Sequence, residues 1–472
     1  MSELPNSSPP LAPEPERPAP PVVDEELVDN IEALIEDGQE GMVLNLLADL
    51  HAADVADLLS HLTVEDARRL LRWLPDELAS AVLPELESAF RTDLLEDATT
   101  HELVALLDGL DTDDAADVLS DVAEAVAEAV LPHLEDAADV EALMSYGEDT
   151  AGGLMGTEYV SVRDTETVGE ATEAVRRCVE TVDPIHVVYV VDAEGRLTGV
   201  VPLKRLILAP ARAPVMSIAE TEFTAVEPDL DQEEVARIME RYDLIALPVV
   251  SAGGRLLGRI TIDDVVDVIR EEAEEDLQRA SGITGEEELS DSVFAISRGR
   301  IVWLLLGLAG AMLSGLVIRH FESALEAATV LAMFIPIVMA MAGNAGIQSS
   351  AIAVQGIASG DLWRSDVLRR LGKELAVALL NGTVLALALG LLVVVMAAVG
   401  LLGDPDTVDL AFTAGLSLLV VIVIATVLGA TVPLLLHRVG VDPALAMGPF
   451  ITVSNDILGL TVFFLIASFL YL

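Results

Sequence analysis

The chain has 472 residues, 52% of them hydrophobic, with 78 acids against 26 bases and a formal net charge of −52 at pH 7. That balance argues against nucleic acid as a partner, because phosphates call for a basic surface. The single cysteine, Cys178, excludes an intrachain disulfide framework, a cysteine-based zinc site and an iron–sulfur cluster.

The first segment, 1–23, is rich in Pro, Ser and Glu and has neither a cationic stretch nor an apolar run, so it reads as a disordered tail and not as a secretory signal. Over 24–150 short helix-period units follow one another, as in "ADVADLLSHLTVEDARRLLRWL" and "THELVALLDGLDTDDAADVLSDV". Each has an apolar pair, then Leu-Thr or Asp-Thr as a cap, then acids in the first helical turn. Helical hairpins stacked into a small superhelix explain that recurrence.

From about 157 to 275 strand-like runs alternate with helices, twice in the same order: a strand, an acid-started helix, a run ending in Val-Val, a Gly-Arg-Leu turn, another strand and a closing helix. The repeats resemble a tandem pair of CBS domains, assigned to 151–212 and 213–272. Such modules pair internally and often bind adenine nucleotides or metal ions as sensors. A connecting helix is expected over 273–298, and the domain over 299–472 offers apolar segments at about 301–319, 327–355, 374–402, 409–436 and 445–471. Each can span a hydrocarbon core that takes ~20 helical residues.

The charge is split accordingly. From Gly299 onward there are 10 acids and 7 bases, which leaves 68 of the 78 acids and 19 of the 26 bases before it. With Lys204 and Lys373 the only lysines, the acid excess matches a proteome adapted to high salt, where screening makes self-repulsion tolerable. Arg298, Arg300, Arg364, Arg369, Arg370, Lys373 and Arg438 fall on one side of the membrane if the acidic half is cytoplasmic, with Arg319 the exception. Positive-inside bias therefore predicts a cytoplasmic N-terminus in the plasma membrane. The fold class expected is a multidomain membrane protein: an all-α superhelical N domain, α/β tandem CBS domains, a long connecting helix and a five-helix transmembrane domain. An odd number of spans favours a functional unit completed across a symmetric homodimer in the lipid bilayer.

Two spans carry groups that a plain anchor would not need. The second reads "FIPIVMAMAGNAGIQSSAIAVQG", with Gly343, Asn344 and Gly346 at membrane depth, where polar or irregular backbone belongs beside protein or a wet cavity. The first carries Gly307, Ala311 and Gly315 at spacing four, a small-residue packing face. The fifth reads "TVSNDILGL", and its Asp456 has no Lys or Arg at comparable depth in any span. An ionisable group there marks function by default. Two such carboxylates meeting across a two-fold axis would be relieved by protons or by a cation. A largely hydrated Mg²⁺ suits carboxylate, amide and hydroxyl groups, with Asn344, Thr452 and Asn455 as the polar wall.

Four stretches together, "YGEDTAGGLMGTEYV" (146–160), the CBS repeats, "PIVMAMAGNAGIQSS" and "GVDPALAMGPFITVSNDILGL", resemble the MgtE-type magnesium channels from about residue 40 to the C-terminus. The resemblance implies a homodimeric, non-enzymatic Mg²⁺ channel whose second and fifth helices line the pore. It puts the pore aspartate on Asp456 and the family's Gly-Asn-x-Gly element on Gly343, Asn344 and Gly346. It also implies closure by cytosolic Mg²⁺ bound between acidic faces. Sensor ligands would fall on Asp113 and Asp117 in the N domain, on Asp243, Asp264, Asp267, Glu272, Glu275 and Asp276 in CBS2 and the connecting helix, and on Asp442 before the last span. In CBS1, Pro202 and Arg205 stand where nucleotide-binding relatives carry a hydroxyl residue and Asp, which argues against ATP there, whereas CBS2 keeps Thr261 and Asp264. The alternatives are a proton-coupled or broader divalent cation transporter (Mn²⁺, Co²⁺), with Asp456 as a proton relay, or a non-conducting CBS sensor.

Overall fold

The computed structural model describes residues 23–179, 181–182, 184–283, 293–358, 367–402 and 406–472. The expected tail (but for Val23), positions 284–292 of the connecting segment and Arg364 lie outside them. The chain forms two units, Met1–Ile269 and Arg270–Leu472.

The first unit starts with ten short α-helices between Glu25 and Leu143. Side-chain caps delimit several of them. Thr63 accepts the Asp66 N–H, and Thr99 and Glu102 form a reciprocal capping box. The apolar residue at every third or fourth position then sinks into one core, including Ile31, Leu58, Leu70, Leu83 and Leu119. The same core runs on into Val235, Leu247, Ile260 and Val265 of the second CBS repeat.

In the first repeat, strand β1 (Ser161–Arg163) lies parallel to β2 (Val187–Val191), which pairs antiparallel with β3 (Leu197–Pro202). In the second, β4 (Ala246–Val250) pairs antiparallel with β5 (Leu256–Thr261). Both Gly-Arg-Leu turns place their glycine at positive φ, Gly195 at +81° and Gly254 at +77°, a conformation that disfavours any Cβ. The two turns also bond to each other. Leu197 N–H donates to the Gly254 carbonyl at 2.9 Å and Leu256 N–H to that of Gly195 at 3.1 Å, so the internal repeat becomes a paired module.

Five helices of the described residues are long and apolar enough to cross a membrane: Ile296–His320, Thr329–Ile357, Val367–Ala398, Thr407–Arg438 and Phe450–Leu470. The fourth packs against the second, third and fifth, with Leu410, Leu418, Val421 and Ala425 in a core shared with Phe334, Val338, Leu389 and Phe463. The first span lies on the fifth through Gly310, where any Cβ would run into the Val453 side chain, and Ser314, one turn on, is buried. Of the expected small-residue face, Gly307 and Gly315 have open space around them within the subunit, so the contact with the fifth span uses another face of this helix.

The boundaries expected at 272/273 and 298/299 both fall inside helices. One helix runs unbroken over Ile262–Ser281, and another over Val293–His320 takes in Arg298 and Arg300.

The helix Gln232–Tyr242 ends on Asp243, the one non-glycine residue described at positive φ (52°). An L side chain there costs roughly 1–2 kcal/mol, of which the freer unfolded chain of a glycine takes back about 0.5–1, so Asp243→Gly is expected to raise stability by up to about 1 kcal/mol, read as an upward shift of the first thermal unfolding transition in Mg²⁺-free detergent solution.

Candidate ion sites

The amino end of helix Thr112–Asp121 meets the stretch 156–158 and the start of helix Ile262–Ser281. Of the Asp-Thr pair expected to cap this helix, Thr112 is its buried first residue. Asp111 holds the cap position without a side-chain bond, while Thr112 N–H and Oγ1 both donate to the Glu158 carboxylate at 3.1 Å, and Thr112 Oγ1 lies 3.0 Å from Thr157 Oγ1. A carboxylate 46 residues away thus accepts the first free N–H of this helix end and interacts favourably with its dipole. Gly156 makes room for the arrangement, since a Cβ there would lie 3.0 Å from Asp113 Oδ2 and 3.1 Å from Glu158 Oε2. Across the cluster, Asp264 accepts from Thr261 N–H (2.9 Å) and Oγ1 (2.7 Å), both through Oδ2.

Carboxylate oxygens of Asp111, Asp113 and Glu158 lie within 4.8 Å of one another, a spacing and chemistry that fit a hard, oxygen-preferring divalent cation. Crowding shows in the proton affinities. Burial, followed by the charges of Asp114, Asp264, Glu158 and Asp111, holds Asp113 well above the usual carboxylate range. Burial and the charges of Asp111, Asp117 and Asp264 push Asp114 up to about 7 against the opposing pull of Arg91. Asp264 is raised by burial despite its two bonds from Thr261.

A second group lies in the second unit. Asp442 caps the turn Pro443–Ala446, its Oδ1 accepting from Ala444 N–H at 2.7 Å, just before the last helix. Its Oδ2 receives Arg279 Nη1 at 2.9 Å, and Arg279 Nη2 also pairs with Glu275 one turn earlier. Asp276 is raised by burial and then by Asp442 and Glu272. The Ala280 carbonyl abuts Gly448, where a Cβ would lie 2.7 Å from it, so the end of helix Ile262–Ser281 rests on the start of helix Gly448–Leu470. Asp442 was expected as a free ligand, but the chain itself already supplies it with a cation.

In the membrane helices, Asp456 is partly exposed and has no ion pair among the described residues. Thr452, one turn before it on the same face, lies 3.8 Å from where a Cβ on Gly343 would sit, and Asn344 is exposed. Asn455 departs from the expected polar wall. It is 1% exposed, and its Nδ2 donates to the Ala342 carbonyl of the second span at 3.3 Å.

The structure therefore gathers Asp113 with Asp264, gathers Glu275 and Asp276 with Asp442, and sets Thr452 beside Gly343, with Asp456 one turn further along the helix face of Thr452. Asp117, Asp243 and Asp267 are exposed, and Glu272 is partly so. Sequence reasoning passed over Asp111, Asp114, Gly156, Glu158 and Arg279. The one usable signal was "GLMGTEYV", which holds both Gly156 and Glu158.

Membrane-length helices, a lone carboxylate within the last of them and acid clusters flanking a CBS pair define a multi-pass membrane protein of the cation-transporter class. Residues 335–466 match the divalent cation transporter family MgtE, 50–149 the MgtE intracellular N domain, and 151–212 and 215–271 the CBS domain. The magnesium transporter MgtE of Thermus thermophilus is 38% identical over 339 residues, covering 71% of this chain and 72% of the relative. That of Bacillus subtilis is 33% identical over 329 residues, covering 70% and 71%. A crystal structure of the cytosolic domain of the Mg²⁺ channel MgtE in complex with ATP is 37% identical, covers 51% of this chain and 99% of its own, and has a TM-score of 0.49. The chain belongs to the MgtE family of magnesium transporters.

The raised carboxyls fix the sign of a pH effect. A folded-state pKa above the unfolded value means that the folded state binds more protons, so their contribution is favourable at low pH and is lost as pH rises from about 4 through about 7. Without divalent cations, the thermal midpoint of the acidic unit is expected to fall between pH 5 and pH 8. Asp114→Asn should flatten that slope, and a slope unchanged by the variant would contradict the assignment.

Proposed function

We propose that the protein is a homodimeric channel that admits Mg²⁺ through the plasma membrane, with its acidic half in the cytoplasm, and that cytosolic Mg²⁺ closes it. Asp456 carries this reading. A carboxylate in the middle of an apolar helix, with no cationic side chain beside it among the described residues, is costly unless a water-filled path or a mobile cation faces it. Two copies related by a two-fold axis would present two carboxylates to one ion. Mg²⁺ keeps most of its waters, so the partners it needs are charge and hydrogen-bond acceptors along a wet path, which Asp456, Thr452 and Asn344 beside Gly343 would supply; Gly346, expected with them, is instead packed against Asn455 and Ile451.

Closure follows from the acid clusters. Asp113, Asp264 and their neighbours crowd like charge into a desolvated place, which raises their proton affinity and would favour a cation between them. A divalent ion there favours whichever state keeps the carboxylates together, which is the differential affinity that a ligand-driven shift requires. Asp117, Asp243 and Asp267 on the exposed faces would add further ligands. At Glu275, Asp276 and Asp442, with Glu272 beside them, Mg²⁺ would have to compete with Arg279. In the first CBS repeat Arg205 pairs with Glu220 at 2.7 Å.

With purified protein in liposomes, Asp456→Ala is expected to abolish Mg²⁺ uptake while leaving the size of the assembly unchanged in detergent. Uptake at the wild-type rate would remove Asp456 from the conduction path.

A further inference from the structure

Asn455 and Asp456 are adjacent, yet the fold treats them in opposite ways. Asp456 is partly exposed and unpaired, whereas Asn455 is driven between helices at 1% exposure. Its Nδ2 meets the carbonyl of Ala342, the group whose first lone pair already takes the helical N–H of Gly346. Gly346 is the receptacle. A side chain there would overlap Asn455 Nδ2 and come within 2.8 Å of Ile451 Cγ2. Gly429 of the fourth span is pressed against the Gly346 carbonyl on another side. Three backbones therefore converge around one amide, whose own Oδ1 has no partner among the described residues. Apolar packing would avoid that unpaired oxygen, so the amide has a use beyond filling space.

We propose that Asn455 is a positioning residue: its bond to the Ala342 carbonyl, seated in the notch at Gly346, fixes the height and rotation of Asp456 against the Gly343–Gly346 turn of the second span. A helix turns about 100° per residue, so a slip of one position would carry Asp456 off its face altogether. The hydrophobic effect gives apolar helices in a bilayer no register, and a directional polar contact does. The inference rests on the reading of Asp456 as the conducting carboxylate.

The test is the dependence of Mg²⁺ uptake on external Mg²⁺ in liposomes, together with thermal unfolding in detergent. The proteins compared are wild type, Asn455→Ala, Gly346→Ala and the double variant. Both single variants are expected to raise the half-saturating Mg²⁺ by roughly tenfold or more, as misplacement of a reacting group does. Loss of folded protein would lower only the maximal rate. In the double variant the new methyl occupies the place the amide leaves, so the unfolding midpoint should recover while half-saturation stays raised. A double variant that conducts with the wild-type curve would show that only volume matters and would overturn the proposal, as would a wild-type curve for Asn455→Ala. If Asp456→Ala conducts normally, the failure belongs to the conduction reading; a silent Asp456→Ala beside an unaltered Asn455→Ala sinks the positioning role alone.

Discussion

The arrangement depends on carboxylates held where water cannot fully screen them. Asp113 and Asp114 are crowded and desolvated enough to hold protons well above the usual carboxylate range, Asp264 is raised with them, and Asp456 sits in a helix built for lipid. Each is costly when it stands alone and charged, and the cost is relieved by the same agent, a cation. The acidic composition acquires a function at these places because the fold removes water from a few acids among many.

The two units solve the problem of like charge differently. In the first, hydroxyl groups and helix N–H groups from Thr112 and Thr261 take part of the negative charge of Glu158 and Asp264, and the remaining oxygens converge on one point. In the second, Arg279 is shared by Glu275 and Asp442, so a tethered cation stands between the connecting helix and the turn that feeds the last span. A guanidinium and a hydrated Mg²⁺ both seek carboxylate oxygens, but only the ion's occupancy varies with its concentration. Contact of Ala280 with Gly448 gives that place a mechanical connection to the helix that carries Asp456.

Much of this was legible in the sequence, and what was missed has physical causes. Helical repeats, the Leu-Thr cap at Thr63, the doubled CBS order with its Gly-Arg-Leu turns and five apolar spans all follow from local patterns of period, cap and turn. That Asp113 and Asp264 both serve as ion ligands was an expectation from resemblance to known motifs, and it did not pair the two. The participation of Glu158 and Asp111 was hidden because in a chain with 78 acids no single acid stands out, and only folding brings position 158 to position 112. Asn455 was read with Asp456 as pore wall because adjacent polar residues look alike in sequence. Which of them faces a neighbouring backbone depends on the notch at Gly346.

The central claim is that Mg²⁺ on the acidic side, and not ionic strength, relieves this repulsion and closes the path. The most direct measurement is Mg²⁺ uptake by oriented protein in liposomes whose internal Mg²⁺ is stepped through the millimolar range, beside a parallel series in which Na⁺ matches the ionic strength. Uptake falling with internal Mg²⁺ and unchanged by Na⁺ is the predicted result; uptake indifferent to internal Mg²⁺, or falling equally with both salts, would contradict it.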